Sequence, residues 1–316
     1  MAPSDENLAA LGATWRSYAA AEAGAEESAG ATARVEATDY AALKDEARTA
    51  WETASDDPIG RRLVPVADAL LEAAGVTPGQ GLLDVAAGDG NLALAAVGAG
   101  ARVTALDLSP RLVECGGERT ERAGVKVEWV VGDAEALPFA TDSFDCVASC
   151  FGAMYAPRPQ RAGAELVRVA RPGGVVAMAN WASSGFMSRV LGIAETLIPR
   201  PKGVPRPVRW GRFESLYLYL SALSEGFEMS PGSITLEFES ANAAWSAFST
   251  PPGPLAAGLT RPEPGARERV KEEFLGVVDA YGSRPSSASV AIAAEYVLVV
   301  GRKPVPPAIA RGPEGC

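Results

Sequence analysis

Residues 82–91 read LLDVAAGDGN. The apolar residues suit a short buried strand, yet the run carries Asp84 and then opens into Gly88, Asp89 and Gly90. A carboxylate at the edge of a core is costly to desolvate unless a cation or a hydrogen-bond donor meets it. The stretch therefore asks for a partner. Gly88, Gly90 and Ala93 fit the pattern G-x-G-x-x-G/A, directly after the strand and before the helix-like run NLALAAVGA. Glycines there let a ligand approach the backbone, and the following helix offers free N–H groups.

Outward from this turn, residues 81–181 alternate strand-like and helix-like segments: GLLDVAA, NLALAAVGA, ARVTALDLS, PRLVECGGERTERA, KVEWVVGDA, FDCVASCF, AGAELVRVA and GGVVAMANW. Apolar strands alternating with helices predict an α/β fold, a parallel sheet covered by helices on both faces. Upstream, Leu43, Ala47 and Trp51, then Leu63, Val66, Leu70 and Leu71, predict two helices, and Leu8, Leu11, Trp15 and Tyr18 a further one behind Asp5. Downstream, SITLEFE at 233–239 and AAEYVLVVG at 293–301 predict two late strands. The stretch between them, with Trp245, Phe248, Val270, Phe274, Val277 and Tyr281, predicts helices that form a lid or cap.

Lys and Arg number 29 against 39 Asp and Glu, and the net charge of -10 argues against broad binding to nucleic acid or anionic membranes. No run approaches the roughly 20 apolar residues of a membrane-spanning helix. A small molecule is the expected partner. The N-terminal MAPSDE is unlike a secretory signal, and Cys115, Cys146, Cys150 and Cys316 show no zinc or redox spacing, which suits a reducing cytoplasm and no metal. The chain contains no histidine, which removes the commonest general base and every histidine metal site. Proton transfer would fall to a carboxylate, Tyr, Lys, Cys or water.

Asp107 closes the second strand, where its carboxylate can accept from both hydroxyls of a ribose. That alone leaves a nicotinamide or flavin dinucleotide open. Asp84, however, places negative charge beside the glycine turn, where a pyrophosphate is repelled and an ammonium or sulfonium is favoured. After the third strand comes VGDAEALPF, with Asp133 placed to accept from an exocyclic amine and Ala134 to offer its amide to an adenine ring nitrogen. Three aspartates thus end three successive strands, at the edge where open α/β sheets bind ligands.

The run LLDVAAGDGNLAL, VTALDLSPRLVE, VVGDAEALPF and RPGG, in that order, resembles the class I S-adenosylmethionine-dependent methyltransferases, in particular the small-molecule branch similar to the ubiquinone/menaquinone type. The resemblance implies a Rossmann-like, seven-stranded, mostly parallel sheet whose last strand is antiparallel, with S-adenosyl-L-methionine as cofactor. It places Asp84, Ala86, Gly88 and Gly90 along the methionine end, Asp107 and Leu108 at the ribose, Asp133, Ala134 and Glu135 at the adenine, and Ser149 beside the methionine portion. Ala86 stands where the family usually has a glycine. GAMYAP at 152–157 would lie near the transferable methyl, with Met154 and Tyr155 shaping an acceptor pocket. The divisions that follow are an N-terminal arm over 1–35, a helical cap over 36–75, the cofactor-binding core over 76–182, a substrate cap with the last two strands over 183–303, and a disordered tail over 304–316.

A ready-activated methyl donor makes a dedicated base optional. For a hydroxyl acceptor, Tyr155, Glu195 or Tyr217 could serve as one. No Asn/Asp-Pro-Pro-Tyr/Phe motif follows the fourth strand, which by resemblance disfavours base amino groups as acceptors. Trp181, Trp210, Tyr217 and Trp245, with Phe213 and Phe248, suit a hydrophobic or aromatic metabolite instead. The Ala, Gly, Pro and Arg bias fits GC-rich bacterial coding sequence and, by association, secondary metabolism. Three rivals stay open: a same-fold enzyme that cyclises a natural product, a nicotinamide-dependent oxidoreductase, and a binding subunit without turnover.

Overall fold

The computed structural model describes residues 38–52, 58–223, 226–251, 253–260, 263–285 and 289–306. The helix predicted around Leu8 and Tyr18, and most of the tail, lie outside them. Helix α1 (Tyr40–Glu52) starts behind Asp39, whose carboxylate accepts from the Ala41 and Ala42 amides at 3.0 Å. Helix α2 (Val64–Ala74) has a proline in its first turn and stops at Gly75, whose φ of 64° only glycine adopts without strain. It buries Val66, Ala67, Leu70, Leu71 and Ala74, the stripe that its apolar spacing predicts.

The alternating stretch then runs β1 (Gly81–Val85), α3 (Asn91–Gly98), β2 (Arg102–Asp107), α4 (Pro110–Arg122), β3 (Val127–Val131), β4 (Phe144–Cys150), α5 (Pro159–Val169) and β5 (Ala170–Trp181). Helices α6 (Phe186–Leu197) and α7 (Phe213–Tyr219) follow, then β6 (Phe227–Phe238), α8 (Ala241–Ser249), α9 (Ala266–Tyr281), the two-residue β7 (Gly282–Ser283) and β8 (Val290–Arg302). The strand order is β3-β2-β1-β4-β5-β8-β6, with β7 beside β8. Strands β1 to β5 pair in parallel, and β8 runs antiparallel to both β5 and β6. Sequence order reverses at β1, which lies between β2 and β4, so a crevice opens outside the carboxyl ends of β1 and β4.

Burial explains the apolar runs. Leu82, Leu83, Val85, Ala105, Val147 and Ala177 are inaccessible, and each large aliphatic side chain so buried contributes about 1.5–3 kcal/mol. Helices α3 and α4 cover β1 to β3, and α5 covers β4 and β5 while packing on α7. One boundary departs from expectation: β6 starts at Phe227 rather than at 233, and so includes Pro231. As the outermost strand it pairs only with β8, and an edge tolerates a proline that a central strand would reject.

Helix α5 approaches α7 so closely that a methyl group on Gly163 would run into the Tyr219 carbonyl. Gly163→Ala gains about 1 kcal/mol of helix propensity but should lose about 1–3 kcal/mol to that overlap. Urea unfolding should therefore show net destabilisation; a variant as stable as the parent would mean that the two helices can separate freely.

Candidate cofactor and acceptor site

The turn after β1 is wound left-handed at three points: Ala86 (φ 55°), Gly88 (φ 58°) and Gly90 (φ 94°). A left-handed alanine costs roughly 1–2 kcal/mol. At Ala86, where the family usually has a glycine, the fold nevertheless holds the conformation. It does so by crosslinks. The Ala87 amide donates to the Leu106 carbonyl at 3.0 Å, and the Gly88 amide donates to Asp107 Oδ2 at 2.8 Å. The other oxygen, Asp107 Oδ1, accepts from the Ser109 amide at 2.9 Å. One carboxylate thus ties the turns after β1 and β2 together, and its burial raises its pKa above the ordinary value.

Asp84 is 1% exposed, and among the described residues neither carboxylate oxygen has a hydrogen-bond partner. Burial pushes its pKa up to about 8; the Ala93 backbone amide, which faces the carboxylate without reaching hydrogen-bond geometry, opposes the shift and the nearby Asp107 charge adds to it. The Cys150 thiol, close enough to feel Asp84, is pushed up as well, mainly by burial. It therefore stays a neutral thiol at neutral pH. Tyr296, also raised by burial, stays a neutral phenol.

The third carboxylate, Asp133, has both oxygens engaged. Its Oδ1 accepts from the Glu135 amide at 2.8 Å, and its Oδ2 meets Lys44 Nζ at 2.6 Å. Glu135 is held just as firmly: Oε1 accepts from the Arg158 amide at 2.6 Å, while Oε2 meets Arg158 Nε at 2.7 Å and Lys44 Nζ at 2.5 Å. Both oxygens of its side chain are thus engaged in an internal bridge. Ser149 is likewise internal, donating to the Val85 carbonyl at 2.7 Å and accepting from the Ala153 amide at 2.9 Å. Leu108 and Ala134 lie in the loops after β2 and β3, next to Asp107 and Asp133.

The aromatic residues do not gather at one wall. Trp181 stacks on Phe151 at 4.0 Å, with Tyr296 edge-on to Phe151 at 6.1 Å. Met154 is buried in the 3-10 turn Ala153–Tyr155, and Tyr155 meets Trp51 edge-on at 5.9 Å. Trp210 is core, 4.9 Å from Tyr219, whereas Tyr217 faces outward on α7 at 53% exposure. Trp245 packs on Phe274 at 5.7 Å, among the helices α8 and α9. Glu195, on α6, is paired with Arg200 and Arg206.

Sequence reasoning missed Lys44, Arg158, Phe151 and Tyr296. Arg158, between Pro157 and Pro159, and Tyr296, in a strand with alternating burial, left faint signals; Lys44, one of several charges on a polar helix, left none.

A family model described as a methyltransferase domain matches residues 83–178. An uncharacterized protein of Mycobacterium tuberculosis is 37% identical over 194 residues, 61% of this chain and 71% of that protein. The chain belongs to the class I S-adenosylmethionine-dependent methyltransferases. Another uncharacterized protein of that organism is 43% identical over 150 residues, 47% of this chain, and the match spans only 55% of the relative's length. A demethylmenaquinone methyltransferase of Renibacterium salmoninarum is 40% identical over 126 residues, 40% of this chain and 49% of that protein. The YcgJ protein of Bacillus subtilis shares the fold at a TM-score of 0.54 and 18% identity, covering 76% of this chain and 99% of that one. The cofactor of this methyltransferase family is S-adenosylmethionine, and Asp84 fits it: a buried carboxylate without a hydrogen bond is matched by a ligand bearing an ammonium and a sulfonium. Among the described residues no group of three or more potential ligands could hold a metal, and no helix is long and apolar enough to cross a membrane.

In the folded protein Asp84 keeps its proton up to about pH 8, whereas the unfolded chain releases it near 3.8. Stability should therefore fall as pH rises through that window, because the native state binds the extra proton. An Asp84 that pairs with the ligand's ammonium would do so in its ionised form, and affinity for S-adenosylhomocysteine should then climb with pH, by up to about tenfold per unit below the pKa. Asp84→Asn should flatten the stability profile and weaken binding. Denaturant unfolding and calorimetric titration across pH check both, and a pH-independent affinity would remove Asp84 from the cofactor.

Proposed function

We propose that this protein transfers a methyl group from S-adenosylmethionine to a small, hydrophobic or aromatic metabolite of bacterial secondary metabolism, in the cytoplasm and without nucleic-acid or membrane partners. The observation that carries the reading is Asp84, a buried carboxylate with neither oxygen bonded, at the end of β1 and beside the left-handed glycine turn. Family membership supports the chemistry, and the hydrophobic or aromatic acceptor rests on the apolar and aromatic character of the late sequence. The secondary-metabolism setting rests on composition alone.

The bound cofactor supplies an electrophilic methyl group, ready for in-line attack. The chain's residues align and shield. Asp84 would hold the cationic methionine end, Asp107 the ribose hydroxyls and Asp133 the adenine amine. Positioning of this kind can account for about 7–11 kcal/mol of a barrier. The Cys150 thiol, kept protonated by burial, is a poor nucleophile and so does not compete with the acceptor for the methyl group. A hydroxyl acceptor that needs deprotonation would find Tyr155 in the turn nearest the crevice, edge-on to Trp51.

Calorimetric titration with S-adenosylmethionine, S-adenosylhomocysteine and NADH tests the cofactor. Binding of both sulfur nucleotides and not of NADH is expected, with Asp107→Ala weakening it while the fold survives. Product mass then tests the reaction: an added methyl with release of S-adenosylhomocysteine supports transfer, whereas an acceptor isomerised at unchanged mass would replace it with cyclisation.

A further inference from the structure

Helix α1 has no fully buried residue, so core burial is not what docks it. Beside its packing on α4, three side-chain contacts among the described residues tie it to groups at the carboxyl edge of the sheet. Lys44 Nζ bridges Asp133 at 2.6 Å and Glu135 at 2.5 Å. The Tyr40 ring lies under the Arg158 guanidinium at 4.9 Å, and Trp51 meets Tyr155 at 5.9 Å. Arg48, by contrast, pairs with Asp45 of its own helix.

We propose that Lys44 is a positioning residue of the cofactor site: by bridging Asp133 and Glu135 it couples the docking of α1 to adenine binding, and thereby seats Trp51 against Tyr155 beside the acceptor. The inference rests on the S-adenosylmethionine reading. Its physical basis is the shared carboxylate. Asp133 Oδ2, the oxygen that Lys44 holds, belongs to the residue assigned to the adenine amine, and a carboxylate oxygen accepts more than one hydrogen bond. Cofactor and lysine can therefore bind Asp133 together. The Glu135 side chain is wholly enclosed, with Lys44 and Arg158 as its cations. Loss of Lys44 leaves that buried charge half-compensated, which disturbs the turn carrying Asp133 and releases α1 in one step. Coupling of this kind is reciprocal: α1 raises cofactor affinity by the factor with which cofactor favours docked α1.

Hydrogen exchange of α1, with and without saturating S-adenosylhomocysteine, tests this in the wild-type chain, in Lys44→Met, which keeps the aliphatic stem, and in Lys44→Arg, which keeps the charge. The expected result is slower α1 exchange on binding in the wild type and in Lys44→Arg. Lys44→Met should bind roughly tenfold more weakly or worse, and its α1 exchange should be the same in both states, while β1 and β2 stay as protected as before. A purely structural lysine would instead speed α1 exchange by the same factor in both states, so that ligand still slows it in Lys44→Met as in the wild type, and that result overturns the coupling. So does a Lys44→Met variant with wild-type affinity and ligand-dependent protection. Wild-type protein that binds the nucleotide but leaves α1 exchange unmoved also overturns the coupling alone; wild-type protein that does not bind it overturns the cofactor reading too.

Discussion

The site depends on a bond that is not made within the protein. Asp84 is driven into the sheet by the apolar residues around it in β1, and among the described residues no donor bonds either oxygen. A carboxylate in that position is tolerated as the neutral acid, and it becomes favourable only opposite a cation. Everything nearby keeps the position available. The glycine turn keeps backbone bulk away, Asp107 fixes the turn through Gly88, and the Cys150 thiol stays uncharged. The fold thus holds an electrostatic deficit that a methyl-donating sulfonium nucleotide can relieve.

The parallel core was legible because its cause is local. Leu82, Leu83 and Val85 are buried on both sheet faces and so appear as an uninterrupted apolar run, and Gly88 and Gly90 mark a turn whose backbone angles favour glycine. The ends of β2 and β3 could be placed for the same reason. Glu135 and Ser149 show what spacing alone does not carry, the internal partners of a motif side chain. Both stand at motif positions, yet their side-chain atoms close bridges to Arg158, Lys44 and the ends of β1 and β4. Nothing in sequence spacing distinguishes a side chain aimed at a ligand from one that braces the loop beneath it.

The acceptor side was less legible because aromatic residues serve the core and a pocket equally well. Trp210 and Trp245 satisfy ordinary packing, Tyr217 stands at the surface, and Trp181 alone of that set joins the stacked group with Phe151 and Tyr296. The partners that matter are remote in sequence. Tyr296 reaches the group because β8 lies beside β5, and Lys44 reaches Glu135 across 91 residues of chain that alternate through half the sheet. Pairings of that kind are set by topology, not by a local pattern.

That topology also has a temporal side. β8 comes last among the strands in sequence, yet it lies inside the sheet, between β5 and β6. During synthesis β1 to β5 can pair in parallel as they emerge, but β6 has no neighbour until β8 has been made. Until then the outer edge of β5 and the whole of β6 expose unpaired backbone groups, the kind of surface that invites misassociation. The proline in β6 is placed to blunt that hazard, since it removes an amide from a strand that must wait for its partner.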